Sequence, residues 1–360
     1  MRKGHLLAAI LLVLLVVPFP TYAGERNTIQ ISVPVSPKAA RVITVKVVDN
    51  PKFVKRLLRA PILKATQTPE FPRATIQLRK RTFLYDSMDR LFEPAKKQQL
   101  LLSTDLRETL DFYISQAEKQ YYGQLLAWEA VRKHFSRMSY ADVVDLETGQ
   151  RFRVQRRAGS RHADVQPLTR KDTEIMKRIY QGKWSWRRRA ILVLVDDKAY
   201  AASMHGMPHG AGAIANNGFH GHFCIHFAGS TTHTRNEPDP SHSLMIMKAS
   251  GKLPTQLMEA EPHQLIEWFL TAVHEHDESI WRQMTTSAMP LPFPPDQLEA
   301  LRYDNPEIPV GDQSLLTAFI PVRVRYYAKG QKEQAQTWCF YLNRSSLVER
   351  WKIADIFITD

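Results

Sequence analysis

Residues 205 to 226 bring together five histidines, five glycines and one of the only two cysteines in the chain. The segment follows directly on two strand-like runs. One is Ala190-Ile191-Leu192-Val193-Leu194-Val195; the other, after the Asp196-Asp197-Lys198 turn, is Ala199-Tyr200-Ala201. That order places the histidine-cysteine segment at the end of a sheet rather than in a helix. A cysteine nucleophile needs a group to take the thiol proton, and an imidazole within hydrogen-bond reach can do so. Any catalysis by this chain therefore centres on Cys224.

The N-terminus bounds the compartment. Arg2 and Lys3 give a positive start, Leu6 to Val17 run without a charge, and Thr21-Tyr22-Ala23 offers a small-residue cleavage site. This is the layout of a secretory signal peptide over residues 1–23, and its apolar core falls short of the roughly 20 residues a spanning helix needs. The reading is an exported protein of the cell envelope, periplasm or exterior, with no transmembrane segment after cleavage. Removing Arg2 and Lys3 lowers the net charge from +13 to +11. No stacking-aromatic or helix-turn-helix pattern points to nucleic acid, so anionic cell-envelope polymers are the expected partner, held by long-range attraction. Export also makes a Cys224–Cys339 disulfide conceivable. Cys339, however, lies in the apolar run Trp338-Cys339-Phe340-Tyr341-Leu342, where a thiol packs, and Cys224 sits among histidines and glycines, so the two are read as unpaired.

The chain reads as multidomain and β-rich. Residues 24–137 form a small α+β region, with strands at Ile29–Val33 and Val42–Val47 and a helix of about thirty residues from Ser103-Thr104-Asp105 to Phe135. Residues 138–250 form a central unit. It contains a hairpin through Thr148-Gly149, a short helix at Asp172–Tyr180 and the buried strand at Ala190–Val195. Residues 255–360 open with a helix at Pro262, pass a proline-rich loop and end in strands at Leu315–Tyr327, Ala335–Leu342 and Leu347–Ile356. One amphipathic helix followed by long antiparallel strands resembles the cystatin-like α+β cone of the SnoaL-type superfamily.

His205, a glycine-rich spacer and Gly221-His222-Phe223-Cys224-Ile225-His226 together resemble the active site of the L,D-transpeptidase (YkuD-type) family. There a first histidine precedes Ser/Thr-His-Gly-Cys-x-Arg/Asn. The resemblance covers roughly residues 138 to 250 and implies a β-sandwich catalytic domain. It makes Cys224 the nucleophile, His205 its activating histidine with the Gly206 carbonyl orienting the ring, and His222 the histidine of the triplet. Gly206, Gly221, His226 and His209 would support them. The implied reaction is acyl transfer on peptidoglycan stem peptides, to an amine or to water, without a cofactor. Three positions depart from the pattern: Gly221 replaces Ser/Thr, Phe223 replaces a glycine expected in a tight turn, and His226 replaces Arg/Asn.

Two other classes stay open. A non-catalytic peptidoglycan-binding protein would keep the sheet and lose the chemistry. A metal-dependent hydrolase would draw on the seven histidines between 205 and 242, with His162, Asp164, His205 and His209 as the alternative ligand set. The Trp184, Trp186 and Arg187-Arg188-Arg189 stretch reads as a glycan groove or a solvated turn, and His274 to Glu278 as a solvated face.

Overall fold

A computed structural model describes residues 28–47, 51–232, 236–286, 289, 291, 294–304 and 315–359; the leader-like segment 1–23 and His233 lie outside them. The architecture is β-rich, with three separate sheets and eight α-helices among the described residues.

The N-terminal region is a seven-stranded antiparallel sheet in which Ile29–Pro34 pairs with Val42–Val47 on one side and Ala74–Leu78 on the other. Ile29, Ile31 and Val33 alternate into a fully buried face, as a period of two requires. The helix Thr104–Tyr121 adds Leu106, Leu110, Ile114, Ala117 and Tyr121 to the same core.

The expected thirty-residue helix is not formed: it ends at Tyr121, and a second helix, Trp128–His134, follows. The break lies where the chain meets the central unit. Gln124 accepts the Ala201 N–H (3.0 Å) and donates its own N–H to Ala199 O (2.8 Å). At Gly123 the backbones approach so closely that a Cβ would lie 2.4 Å from Ala201 N. These tertiary hydrogen bonds override a helical periodicity that continues through Trp128.

The central strands, expected as a sandwich, instead close into a six-stranded barrel. Around it run Ala163–Pro167, Phe223–His226, Lys198–His205, Arg188–Val195, Tyr140–Asp145 and Arg151–Ala158. Closure depends on the short strand Ala163–Pro167, which pairs with Phe223–His226 on one edge and Arg151–Ala158 on the other. Val143, Phe152, Val154, Val165, Ile191, Val193, Ala202, Met204, Phe223 and Ile225 form one core with Trp128, Val131 and Phe135, which lie upstream of the expected boundary at Met138. Val144, Leu146, Ala190, Leu192 and Ala201 join a second core with Leu244, Met245 and Ala249 of the helix Pro240–Ala249.

That second core continues into the C-terminal unit, where Leu298–Tyr303, Thr317–Ala328, Gln334–Asn343 and Lys352–Thr359 form an antiparallel sheet in that order. The helix Pro262–His274 shares its core, with Phe269 edge-on to Phe340. The first of these strands, after the proline-rich loop, was not expected. Lys248 fastens the units: its buried Nζ donates to Glu147 (2.6 Å), Asp277 (2.6 Å) and Ser279 (2.8 Å). Three acceptors compensate the desolvation of that ammonium.

Gly123→Ala is expected to destabilise the chain by about 1–3 kcal/mol, because backbone rather than a flexible side chain meets the new methyl group. Urea unfolding checks this, and an unchanged midpoint would show that the two segments can separate without cost.

Candidate functional site

His205 ends the strand Lys198–His205, the chain swings out, and it returns as Phe223–His226. The two arms of the loop pair with each other: His209 N–H donates to His222 O (3.0 Å) and His222 N–H to His209 O (2.8 Å). Gly221 makes this turn with φ +102°, and a Cβ there would lie 2.4 Å from His209 O. A serine or threonine at this position is therefore excluded by geometry. Gly206 anchors the outgoing arm by donating its N–H to Ser185 O (2.8 Å).

Cys224 and Phe223 do not lie in a tight turn. They belong to the strand, and Phe223 has no positive φ. Its fully buried ring packs against Phe152 and Phe219. Cys224 lies in register with Asp164, so both side chains occupy the same stretch of barrel wall.

Cys224 is 5% exposed and is a free thiol, as is Cys339. Its Sγ is 3.4 Å from His209 Nε2 and 3.8 Å from Asp164 Oδ1. The His209 tautomer follows from its other nitrogen, which lies 3.0 Å from Met207 O. A carbonyl only accepts, so Nδ1 carries the proton and a neutral ring presents the Nε2 lone pair to the thiol. His162 and His222 are built alike, with Nδ1 on Thr231 O (2.8 Å) and Ala211 O (3.0 Å). Their Nε2 atoms lie 3.2 Å and 3.9 Å from Asp164 Oδ1.

His205 differs. Its Nδ1 accepts the Met207 N–H (3.3 Å), and its ring leans on Trp186 (4.7 Å between centroids) and His209 (5.1 Å). His226 is stacked between His162 (4.4 Å) and His242 (3.8 Å), and His242 Nδ1 lies 2.9 Å from Ser203 Oγ. The residues singled out in the sequence thus converge, and the imidazole nearest the thiol is that of His209. Donor atoms of His205, His209 and Cys224, and of His162, Asp164 and Cys224, form two groups whose members lie within 4.8 Å of one another.

Burial dominates the electrostatics. Burial, with Asp164 adding to it, pushes the Cys224 thiol well above its ordinary value, while Arg188 opposes the shift. Burial, and then the neighbouring imidazoles, hold His205 and His242 well below 6.5. His209 is lowered for the same leading reason. At rest His205, His209 and His242 are therefore neutral rings near a protonated thiol.

Three contributors were missed or misplaced in the sequence. Trp186, half exposed, lies against His205 and His209 (5.3 Å to the latter). Glu275 is not on a solvated face: it is 5% exposed and pairs with Arg188, which also holds Asp239 at 2.9 Å. Arg189 is committed to Asp145 through two hydrogen bonds of 2.7 and 2.9 Å, so neither of these arginines is free to line a groove. Gln166, two residues beyond Asp164, accepts the Ala213 (2.7 Å) and Ile214 (3.1 Å) N–H groups and so holds the loop over the site. Alternation along the strand from His162 could have flagged Gln166; nothing local to Trp186 or Glu275 encodes their long-range partners.

No protein-family model, curated protein or solved structure matches this chain.

The lowered imidazoles make a pH prediction. In the unfolded chain they take up protons near 6.5, whereas the folded state resists until lower pH. The unfolded state then binds more protons, so stability is lost as pH falls from about 6.5 towards the folded values. The thermal midpoint is expected to drop between about pH 7 and about pH 5, with a shallower slope in His242→Gln. Parallel slopes for the two proteins would remove His242 from this account.

Proposed function

We propose that the chain is an exported cysteine acyltransferase of the L,D-transpeptidase type, acting on peptidoglycan stem peptides as a transpeptidase or carboxypeptidase. The observation that carries the reading is the Cys224 Sγ–His209 Nε2 distance of 3.4 Å, with His209 Nδ1–H fixed on Met207 O. Nucleophile, base and orienting carbonyl are the three parts such chemistry needs.

Because burial keeps the pair neutral, the proton moves as the bond forms. Cys224 Sγ attacks the peptide carbonyl carbon while His209 Nε2 accepts the thiol proton. The tetrahedral intermediate collapses, the C–N bond breaks, and His209 returns the proton to the departing amine of a terminal residue. Water or the amine of a second stem then attacks the thioester and restores the thiol. His205, in van der Waals reach of His209 and Trp186, holds the base in place. His222 and Gly221 fix the loop that carries it.

The leader-like N-terminus supports export, and the net charge of +11 that remains without Arg2 and Lys3 supports residence among anionic envelope polymers. No helix among the described residues is long and apolar enough to cross a membrane.

Incubation with tetrapeptide muropeptides is expected to give a thioester adduct on Cys224, visible as an added acyl mass on the intact protein. Cys224→Ala should abolish both adduct and product, and His209→Ala should lower kcat by about 10²- to 10⁴-fold. Product formation that survives Cys224→Ala would overturn the reading.

A further inference from the structure

We propose that His162, Asp164 and Cys224 form a binding site for one divalent transition-metal ion, and that their donor types, with the His209 imidazole beside the thiol, select zinc. Metal binding goes beyond acyl transfer and does not require it.

The donor atoms of His162, Asp164 and Cys224 lie within 4.8 Å of one another, and three of the contacts here match edges of a zinc tetrahedron. Zinc binds thiolate at about 2.3 Å and imidazole nitrogen or carboxylate oxygen at about 2.0–2.2 Å, which gives tetrahedral edges of about 3.3–3.7 Å. The edges found are 3.4 Å from Cys224 Sγ to His209 Nε2, 3.8 Å from Sγ to Asp164 Oδ1, and 3.2 Å from Asp164 Oδ1 to His162 Nε2. Both ends of this chain of contacts are at ligand spacing already.

The tautomers fit as well. His162 and His209 each give their Nδ1 proton to a main-chain carbonyl, Thr231 O and Met207 O respectively. That arrangement fixes the ring of a zinc-bound histidine and leaves its Nε2 lone pair for the metal. His222 is built the same way, 3.9 Å from Asp164 Oδ1, and is placed to steady the carboxylate. His205 is not in the set, because its Nδ1 accepts the Met207 N–H. Two imidazoles, a thiolate and a carboxylate are the donors a borderline-soft tetrahedral ion takes.

On binding, the Sγ–metal bond replaces Sγ–H and the proton leaves to solvent. The metal-bound thiolate can no longer attack a carbonyl. If Cys224 is the nucleophile proposed above, zinc is an inhibitor of the same site.

The test uses the full-length chain, stripped with a chelator and titrated with Co²⁺ and then Zn²⁺. One Co²⁺ per chain should bind with a thiolate-to-cobalt charge-transfer band, and Zn²⁺ should displace it. Cys224→Ser should lose the band, His162→Ala should weaken zinc binding at least about tenfold, and Cys339→Ser should change neither. Should a variant misfold, the wild type alone decides: zinc must protect Cys224, located by peptide mapping, from alkylation. No charge-transfer band, a band that survives Cys224→Ser, or binding only at about millimolar metal would overturn the site. Zinc protection without a muropeptide adduct would sink acyl transfer and leave the metal site standing; an adduct without zinc protection would do the reverse.

Discussion

The pairing of Ala163–Pro167 with Phe223–His226 is the contact on which the rest of the central unit depends. It closes the barrel, and it sets Asp164 opposite Cys224. A slip by one residue would send Asp164, Cys224 and His226 to the other face and bring Val165, Phe223 and Ile225 out of the core. Register is thus enforced by hydrophobic burial, and the polar site comes with it at no separate cost in specificity. The site is as rigid as the barrel wall, except where it depends on the loop between His205 and Phe223.

That loop is held by three kinds of constraint. The His209–His222 backbone pair zips its two arms, Gln166 holds Ala213 and Ile214 from below, and Gly206 is tied to Ser185. Trp186 then covers the rings of His205 and His209 from the solvent side. Together they keep water from the thiol, which is why its proton is held so firmly and why burial lowers His205 and His209. Arg188 is a nearby cation, and its charge is shared with Asp239 and Glu275. The pocket has donors and acceptors in place but little net charge of its own to spend on a thiolate. A proton acceptor during attack, or a metal ion, is what would stabilise that anion.

How much was legible in the sequence follows from the range of the interactions. The strands at 29–34, 42–47 and 190–195, the short helix near 172–180 and the Thr148-Gly149 hairpin rest on local alternation and turn chemistry, and they form close to where those patterns placed them. The long helix failed at Gly123 because its termination is caused by Ala199 and Ala201, far away in sequence. Barrel closure was invisible for the same reason, since it rests on one five-residue strand with partners on both sides. The site residues were found by type and spacing, but their order around the thiol was not. The resemblance to the transpeptidase pattern favoured His205, whereas the turn through Met207 and Pro208 brings His209 to Cys224.

The three departures from the transpeptidase pattern are connected in space rather than independent. An aromatic ring at 223 points into the barrel core against Phe152 and Phe219, which requires the residue to be in regular strand. The left-handed turn then has to fall earlier, and Gly221 supplies it beneath His209 O. Cys224 lies in the wall beside Asp164, and the residue two beyond it faces the same way, into the His162–His242 stack. A guanidinium at 226 would have to displace one of those rings; an imidazole stacks between them. Phe223, Gly221 and His226 therefore act as one arrangement: the cysteine sits in a buried strand, among imidazoles suited to hold a proton or a metal.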